Sequence, residues 1–191
     1  ISMPNNLNPI REALLCLLRF QIAVRLKRLL VDVASDPPQT FWNYVIGSQT
    51  DHAVIEWCKV LGGQDQHTHW HRLVKESDRA EVLAAILGAT KLPRPDWEVY
   101  WSSMTGYRNK RAAHADTDAP FFVTHYPEFD PALAASTVVF DKLYDLLPED
   151  QLGGLNSSLD KWAGTFVGNM RPIVISAFNG SKVLGTNVPK P

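Results

Sequence analysis

The sequence has almost no net charge, because 19 Lys and Arg residues are offset by 20 Asp and Glu residues to give a formal charge of −1. Proteins that grip long stretches of nucleic acid usually carry a basic excess, since neutralising phosphates supplies most of their affinity. The charge balance therefore excludes a general DNA-coating role. Any contact with nucleic acid has to be local and made through a small basic cluster.

Cysteines and long apolar runs are also scarce. Cys16 and Cys58 both lie within apolar helical patterns, which favours two buried thiols, although pairing between them stays open. No apolar run approaches the ~18 residues that suggest a membrane span. The N-terminus lacks the charged segment and apolar core of a signal peptide. We therefore expect a cytoplasmic protein with no membrane partner.

The usual motifs of catalysis and metal binding are missing as well. Gly62-Gly63 lacks the Lys-Ser/Thr that follows in a phosphate loop, and no Ser or Cys has the context of a nucleophile. His67 and His71 could chelate a metal from one helix face, but no Cys or carboxylate stands beside them at ligand spacing. We predict no metal and no cofactor. The rings of the His-rich segment 67–71 are expected to be exposed on a first helical turn, and Glu56 is expected to be solvated.

Apolar residues recur every three to four positions nearly throughout the chain, and no alternating strand pattern stands out. This pattern predicts an all-α, up-and-down helical bundle. A length of 191 residues fits one domain, which we place at residues 8–148. Residues 149–191 form a C-terminal extension with a weaker pattern, expected to pack on the domain or on a partner. Residues 172–178 fit either a short strand or a helix.

Caps and prolines predict where the helices begin and end. Asn8-Pro9 starts the first helix, and the second is predicted to run from Thr40 to a left-handed cap at Gly62-Gly63. The later boundaries are a capping box formed by Asp78 and Glu81, an N-cap at Asp96 for a helix over 97–114, and a start at Asp130-Pro131 for a helix that ends before Pro148.

The helix predicted over 97–114 carries an unusual cluster of cations. Arg108, Lys110 and Arg111 place three cations within about one and a half turns of His114. Like charges this close repel each other unless an anion binds between them. His114 also ends an aromatic stripe that includes Tyr107. For His114 alone, a structural role remains open, because an imidazolium at a helix C-terminus meets the helix dipole favourably.

Arg108 and His114 are six residues apart, which on one helix is roughly 9 Å along the axis and some 120° around it. They would therefore converge only weakly on a small ligand from a single helix. A symmetric dimer could bring both pairs to a shared groove.

Arg108-Asn109, four further residues and His114 together resemble the signature of the HEPN superfamily, and in particular its abortive-infection branch, where Arg-Asn-Lys and His-Ala-Asp stretches occur. Residues 53–59 and Thr68-His69-Trp70 are similar to that branch too. The resemblance covers about residues 40–148, including the order of helices.

The resemblance implies a metal-independent endoribonuclease of toxin or phage-defence type that acts as a homodimer. His114, Arg108 and Asn109 would be catalytic, and Lys110, Arg111 and Tyr107 would contact RNA or a nucleotide. An antitoxin partner would fit this reading. Some HEPN toxins carry a modified tyrosine two residues after the histidine, and Asp116 stands there in this chain. A non-catalytic HEPN-like RNA- or nucleotide-binding module and a helical interaction protein remain as alternatives.

Overall fold

The computed structural model describes residues 8–34, 40–109 and 126–183. In those ranges the chain forms helices and no strand, so the predicted all-α helical bundle is confirmed. The α-helices are α1 (Pro9–Val33), α2 (Thr40–Leu61), α3 (Trp70–Leu73), α4 (Arg79–Thr90), α5 (Arg94–Tyr107), α6 (Asp130–Asp145) and α7 (Leu159–Val183), with short 3-10 turns at Glu76–Asp78 and Glu149–Gln151.

Helix α1 lies at the centre of the bundle. It begins as predicted, with the Asn8 side chain accepting a hydrogen bond from the Ile10 backbone N–H and with Pro9 in the first turn. Between Ala13 and Val24 most of its side chains are buried. Because a helix that is apolar around much of its circumference needs cover on several sides, α2, α6 and α7 all pack against it.

The main core is built around aromatic contacts between these helices. Phe20 of α1 meets Phe129 edge-on, with 6.1 Å between ring centroids. Trp57 of α2 packs edge-on against Trp97 and Tyr100 of α5, at 6.4 and 6.5 Å. These contacts fix α5 against α2, and they thereby set the direction in which the end of α5 points.

Residues 172–178 are helical, which decides between the two structures that the sequence allowed. Pro172 lies inside α7, where it cannot donate a backbone hydrogen bond to Gly168. Helix α7 packs along α1 and adds Val174 and Phe178 to a second apolar cluster at the C-terminal end of α1. The Trp42 indole N–H donates to Ser181 Oγ at 3.0 Å and joins α2 to the end of α7.

The prediction of a left-handed cap at Gly62-Gly63 is wrong. Among the described glycines only Gly154 has a positive φ, of 76°. Gly62 instead donates its N–H to the Cys58 carbonyl at 3.1 Å, and a Cβ built on Gly62 would lie 2.5 Å from that oxygen. Close approach of the backbone, rather than left-handed geometry, therefore calls for glycine here.

Of two further predicted N-caps, one is confirmed in position only and the other is wrong. Asp78 stands at the N-cap position of α4. Asp78 makes no capping bond to α4, because it ends a 3-10 turn that runs directly into the helix, and its carboxylate accepts from the Ser77 hydroxyl. Helix α5 begins at Arg94 rather than after Asp96. Pro95 is tolerated in the first turn, where its missing N–H costs nothing, so it begins the helix rather than delaying it.

Within the described ranges no helix is both long and apolar enough to cross a membrane.

Candidate functional site

The end of α5 presents Arg108 and Asn109 side by side. Regular α-helical geometry ends at Tyr107, and residues 108–109 continue in a wider π-helical turn. The Arg108 guanidinium donates from Nε and Nη2 to Asn109 Oδ1, at 3.0 and 2.7 Å. Arg108 is half-buried and Asn109 is exposed. The amide therefore holds one edge of a guanidinium at the protein surface, in the kind of helical irregularity that is frequent at functional sites.

Tyr107 anchors this end of α5 to α2. Its hydroxyl donates to Asp51 Oδ1 at 2.7 Å, and both residues are half-buried. The contact joins positions 56 residues apart in the chain. Sequence reasoning missed Asp51, because nothing in its neighbourhood marks it as the partner of a distant tyrosine. Tyr107 thus fixes the backbone that carries Arg108.

Three of the predicted site residues, Lys110, Arg111 and His114, lie outside the described residues, as does Asp116. The structure thus brings together Tyr107, Arg108 and Asn109, and Asp51 accepts a hydrogen bond from Tyr107. On an ideal α-helix each residue is rotated by 100° from the one before it, which would place Tyr107 and later residues in one stripe. That rotation does not hold in the π-helical turn at residues 108–109.

Cys58 lies under the same region but is not a nucleophile. Its side chain is fully buried, with Sγ 4.0 Å from the Met104 carbonyl oxygen of α5. Burial raises the pKa of the Cys58 thiol to about 12, and the nearby charge of Arg108 acts in the opposite direction. The thiol therefore stays protonated and unreactive at neutral pH.

No protein-family model, curated protein or solved structure matches the chain.

The His-rich segment differs from its prediction, because His69 is buried rather than exposed. Its Nδ1 accepts from the His71 backbone N–H at 3.2 Å and caps α3. Burial, together with the charge of His71, lowers the pKa of His69 to about 4. The neutral ring lines a cavity of about 160 Å³ with Trp70, Trp97 and Trp101.

The other two histidines of the segment face different partners. His67 Nε2 lies 2.8 Å from Glu12 Oε2 of α1, whereas the His71 ring lies edge-on to Trp70. Burial, followed by the charge of Arg79, lowers the pKa of His71. Across the described ranges no three His, Cys, Asp or Glu side chains are grouped to hold a metal ion.

The prediction that Glu56 is solvated is wrong, because its side chain is only 5% exposed. Its carboxylate pairs with Lys59 one turn later, and Arg19 Nη1 of α1 lies 3.9 Å from Oε2. The helical pattern of α2 alone could not reveal Arg19, since it comes from another helix. The burial and charge of Glu56 also affect Cys16, whose pKa rises to about 12 through its own burial first and Glu56 second.

Replacing Tyr107 with Phe should lower the free energy of unfolding by about 1–2 kcal/mol, because the half-buried Asp51 carboxylate loses a hydrogen-bond donor. Urea titration followed by circular dichroism measures the change. Tyr44→Phe is the matched control, since the Tyr44 side chain is 77% exposed and its change should be near zero. Equal stability of the two variants would contradict a structural role for the bond between Tyr107 and Asp51.

His69 should make stability depend on pH. Its pKa of about 4 in the folded protein lies below the ordinary value of 6.5, so the unfolded chain binds the proton first as the pH falls. Folding stability should therefore be lost between about pH 6.5 and 4, by up to about 3 kcal/mol from this residue. Urea unfolding of the wild type and of His69→Asn at several pH values measures the difference, because asparagine retains a cap but does not titrate.

As the pH falls through that window, the free energy of unfolding of the wild type should drop by up to about 3 kcal/mol more than that of His69→Asn. His52→Asn removes an exposed histidine and should leave the pH dependence of the wild type unchanged. Parallel curves for the wild type and His69→Asn would show that His69 is not buried as a neutral ring.

Proposed function

We propose that the protein is a metal-independent endoribonuclease of toxin or phage-defence type, acting as a homodimer, with Arg108, Asn109 and His114 at its site. The proposal rests on the resemblance of this segment to the HEPN signature. The all-helical fold is compatible with it, as is the near-neutral charge, which restricts RNA contact to a local cluster.

The observation that best supports the proposal is the way the Arg108 guanidinium is held at the surface. Its guanidinium is partly exposed and is oriented on one edge by Asn109 at the end of a helix anchored through Tyr107 and Asp51. A guanidinium held in this way offers its other N–H groups in a fixed direction, with little rotamer entropy left to lose. Preorganised donors of this kind stabilise charge that develops on a phosphorane in the transition state.

The chemistry needs one further group that moves protons. His114 would take the proton of a ribose 2′-hydroxyl, whose oxygen then attacks the adjacent phosphorus, or would give a proton to the leaving 5′-oxygen. The P–O5′ bond breaks, and the products carry a 2′,3′-cyclic phosphate and a 5′-hydroxyl. Lys110 and Arg111 would bind the RNA backbone on either side. No step needs a metal.

The purified protein should cleave single-stranded RNA in the presence of EDTA and leave 2′,3′-cyclic phosphate ends. Arg108→Ala should reduce the rate by about 10²–10³-fold, the usual effect of removing one donor to a developing oxyanion. His114→Ala should abolish cleavage, with circular dichroism spectra unchanged in both variants. Gel analysis of end-labelled RNA and phosphatase sensitivity of the ends measure both effects.

Arg94→Ala is the matched control, because it removes an exposed arginine from the other end of the same helix, where Arg94 pairs with Glu98. Its cleavage rate should equal that of the wild type. Cleavage that persists in His114→Ala, or that EDTA abolishes, would refute the proposal. RNA affinity lost only in Arg108→Ala, with no cleavage by any form, would instead identify a non-catalytic binding module.

A further inference from the structure

A second group of arginines lies around a groove between α1, α6 and α7, which has a volume of about 420 Å³. Arg25 and Arg28 of α1 stand on one side of it and Arg171 of α7 on the other. The remaining lining combines Asp32 with apolar side chains, among them Leu29 and Val167. The groove shares no lining residue with the surroundings of Arg108, so its function does not depend on the proposed nuclease.

The space in the groove comes from two glycines. Gly164 and Gly168 are four residues apart and therefore lie on one face of α7, towards α1. A Cβ built on Gly168 would meet no atom within 4 Å, and one on Gly164 would meet only Arg25 Nη1, at 3.7 Å. Larger side chains at these positions would occupy the groove. The sequence thus keeps open a space that it surrounds with cations.

The arginines are balanced by carboxylates, but these carboxylates are exposed. Arg25 pairs with Asp160, Arg28 with Asp130, and Arg171 Nη2 with Asp32 at 3.3 Å. The side chains of Asp160 and Asp130 are 72% and 83% exposed. Exposed ion pairs contribute little to stability, because water screens them and ordering two long side chains costs entropy. A ligand with more negative charge can therefore replace them at small cost.

We propose that this groove binds phosphate groups, with the guanidiniums of Arg25, Arg28 and Arg171 exchanging their exposed carboxylate partners for phosphate oxygens. Arginine matches phosphate because its planar fork donates two parallel hydrogen bonds to adjacent oxygens. Three such forks around one space suit a ligand with several oxygens better than a single carboxylate. The volume lies within the range of small-ligand sites, typically about 300–1,000 Å³. The phosphates could belong to a free polyphosphate or to an RNA backbone.

Isothermal titration of the full chain with pyrophosphate tests the proposal. Arg171→Gln should weaken binding about tenfold, since it removes charge-assisted hydrogen bonds to the ligand. Asp32→Asn should instead tighten binding several-fold, because it removes the carboxylate that competes for Arg171. Opposite effects from the two members of one ion pair distinguish a binding site from a general effect of altered stability.

Arg94→Gln and Glu98→Gln are the matched controls, because they change the same charges in an exposed ion pair on α5. Both should bind pyrophosphate as the wild type does. Gly168→Leu should block binding, whereas Gly180→Leu, at an open position on the same helix, should not. Both leucines improve helix propensity, so neither is expected to unfold α7.

A labelled 12-nucleotide oligouridine distinguishes the two sources of phosphate. If it binds, is displaced by pyrophosphate and is weakened by Arg171→Gln, the groove holds an RNA backbone. If only pyrophosphate binds in the groove, the ligand is a free phosphate compound. Absence of binding by both probes would overturn the proposal, as would pyrophosphate binding that neither Arg171→Gln nor Gly168→Leu changes.

Discussion

Helix α1 needs cover on several sides, because its first half is apolar around most of its circumference. The packing of α2, α6 and α7 meets this need, and burying apolar surface is the dominant favourable contribution to such a bundle. The cations of α1 emerge where the covering helices meet. Arg19 reaches Glu56 of α2, Arg28 reaches Asp130 of α6, and Arg25 reaches Asp160 of α7.

This arrangement explains why a chain with almost no net charge can still have local cationic sites. On α1, Arg25 and Arg28 pair with exposed carboxylates of neighbouring helices, whereas Arg19 lies near the buried carboxylate of Glu56. At the end of α5 the situation differs, because the partner of Arg108 is the neutral amide of Asn109, which leaves the positive charge uncompensated by that contact. The positive charge of the two regions is therefore balanced in different ways.

Much of the fold could be predicted from the sequence, because local signals mark it. The start of α1 at Asn8-Pro9 and of α6 at Asp130-Pro131 follow from residues that favour helix starts. The extent of α7 is harder to predict from the sequence, because Gly164, Gly168 and Pro172 reduce helix propensity. Packing against α1 compensates for this loss.

The candidate site is less accessible to sequence reasoning. The contact between Arg108 and Asn109 joins neighbours, whereas the bond from Tyr107 to Asp51 joins α5 to α2 and depends on how the two helices pack. The surroundings of the buried Glu56 carboxylate have the same origin, since Arg19 and Cys16 beside it belong to α1. A helical period predicts which face of a helix is apolar, but it does not predict which polar group a neighbouring helix will cover.

In the proposed nuclease, Arg108 of one protomer would share a site with His114 of the partner subunit, because the two residues converge only weakly on a ligand from a single helix. The most direct test mixes two inactive variants, Arg108→Ala and His114→Ala, and allows their subunits to exchange. Random exchange makes half of the dimers mixed, each with one intact site of two, so RNA cleavage should return to about a quarter of the wild-type rate. A mixture as inactive as either variant alone, alongside an active wild type, would contradict a site shared between protomers.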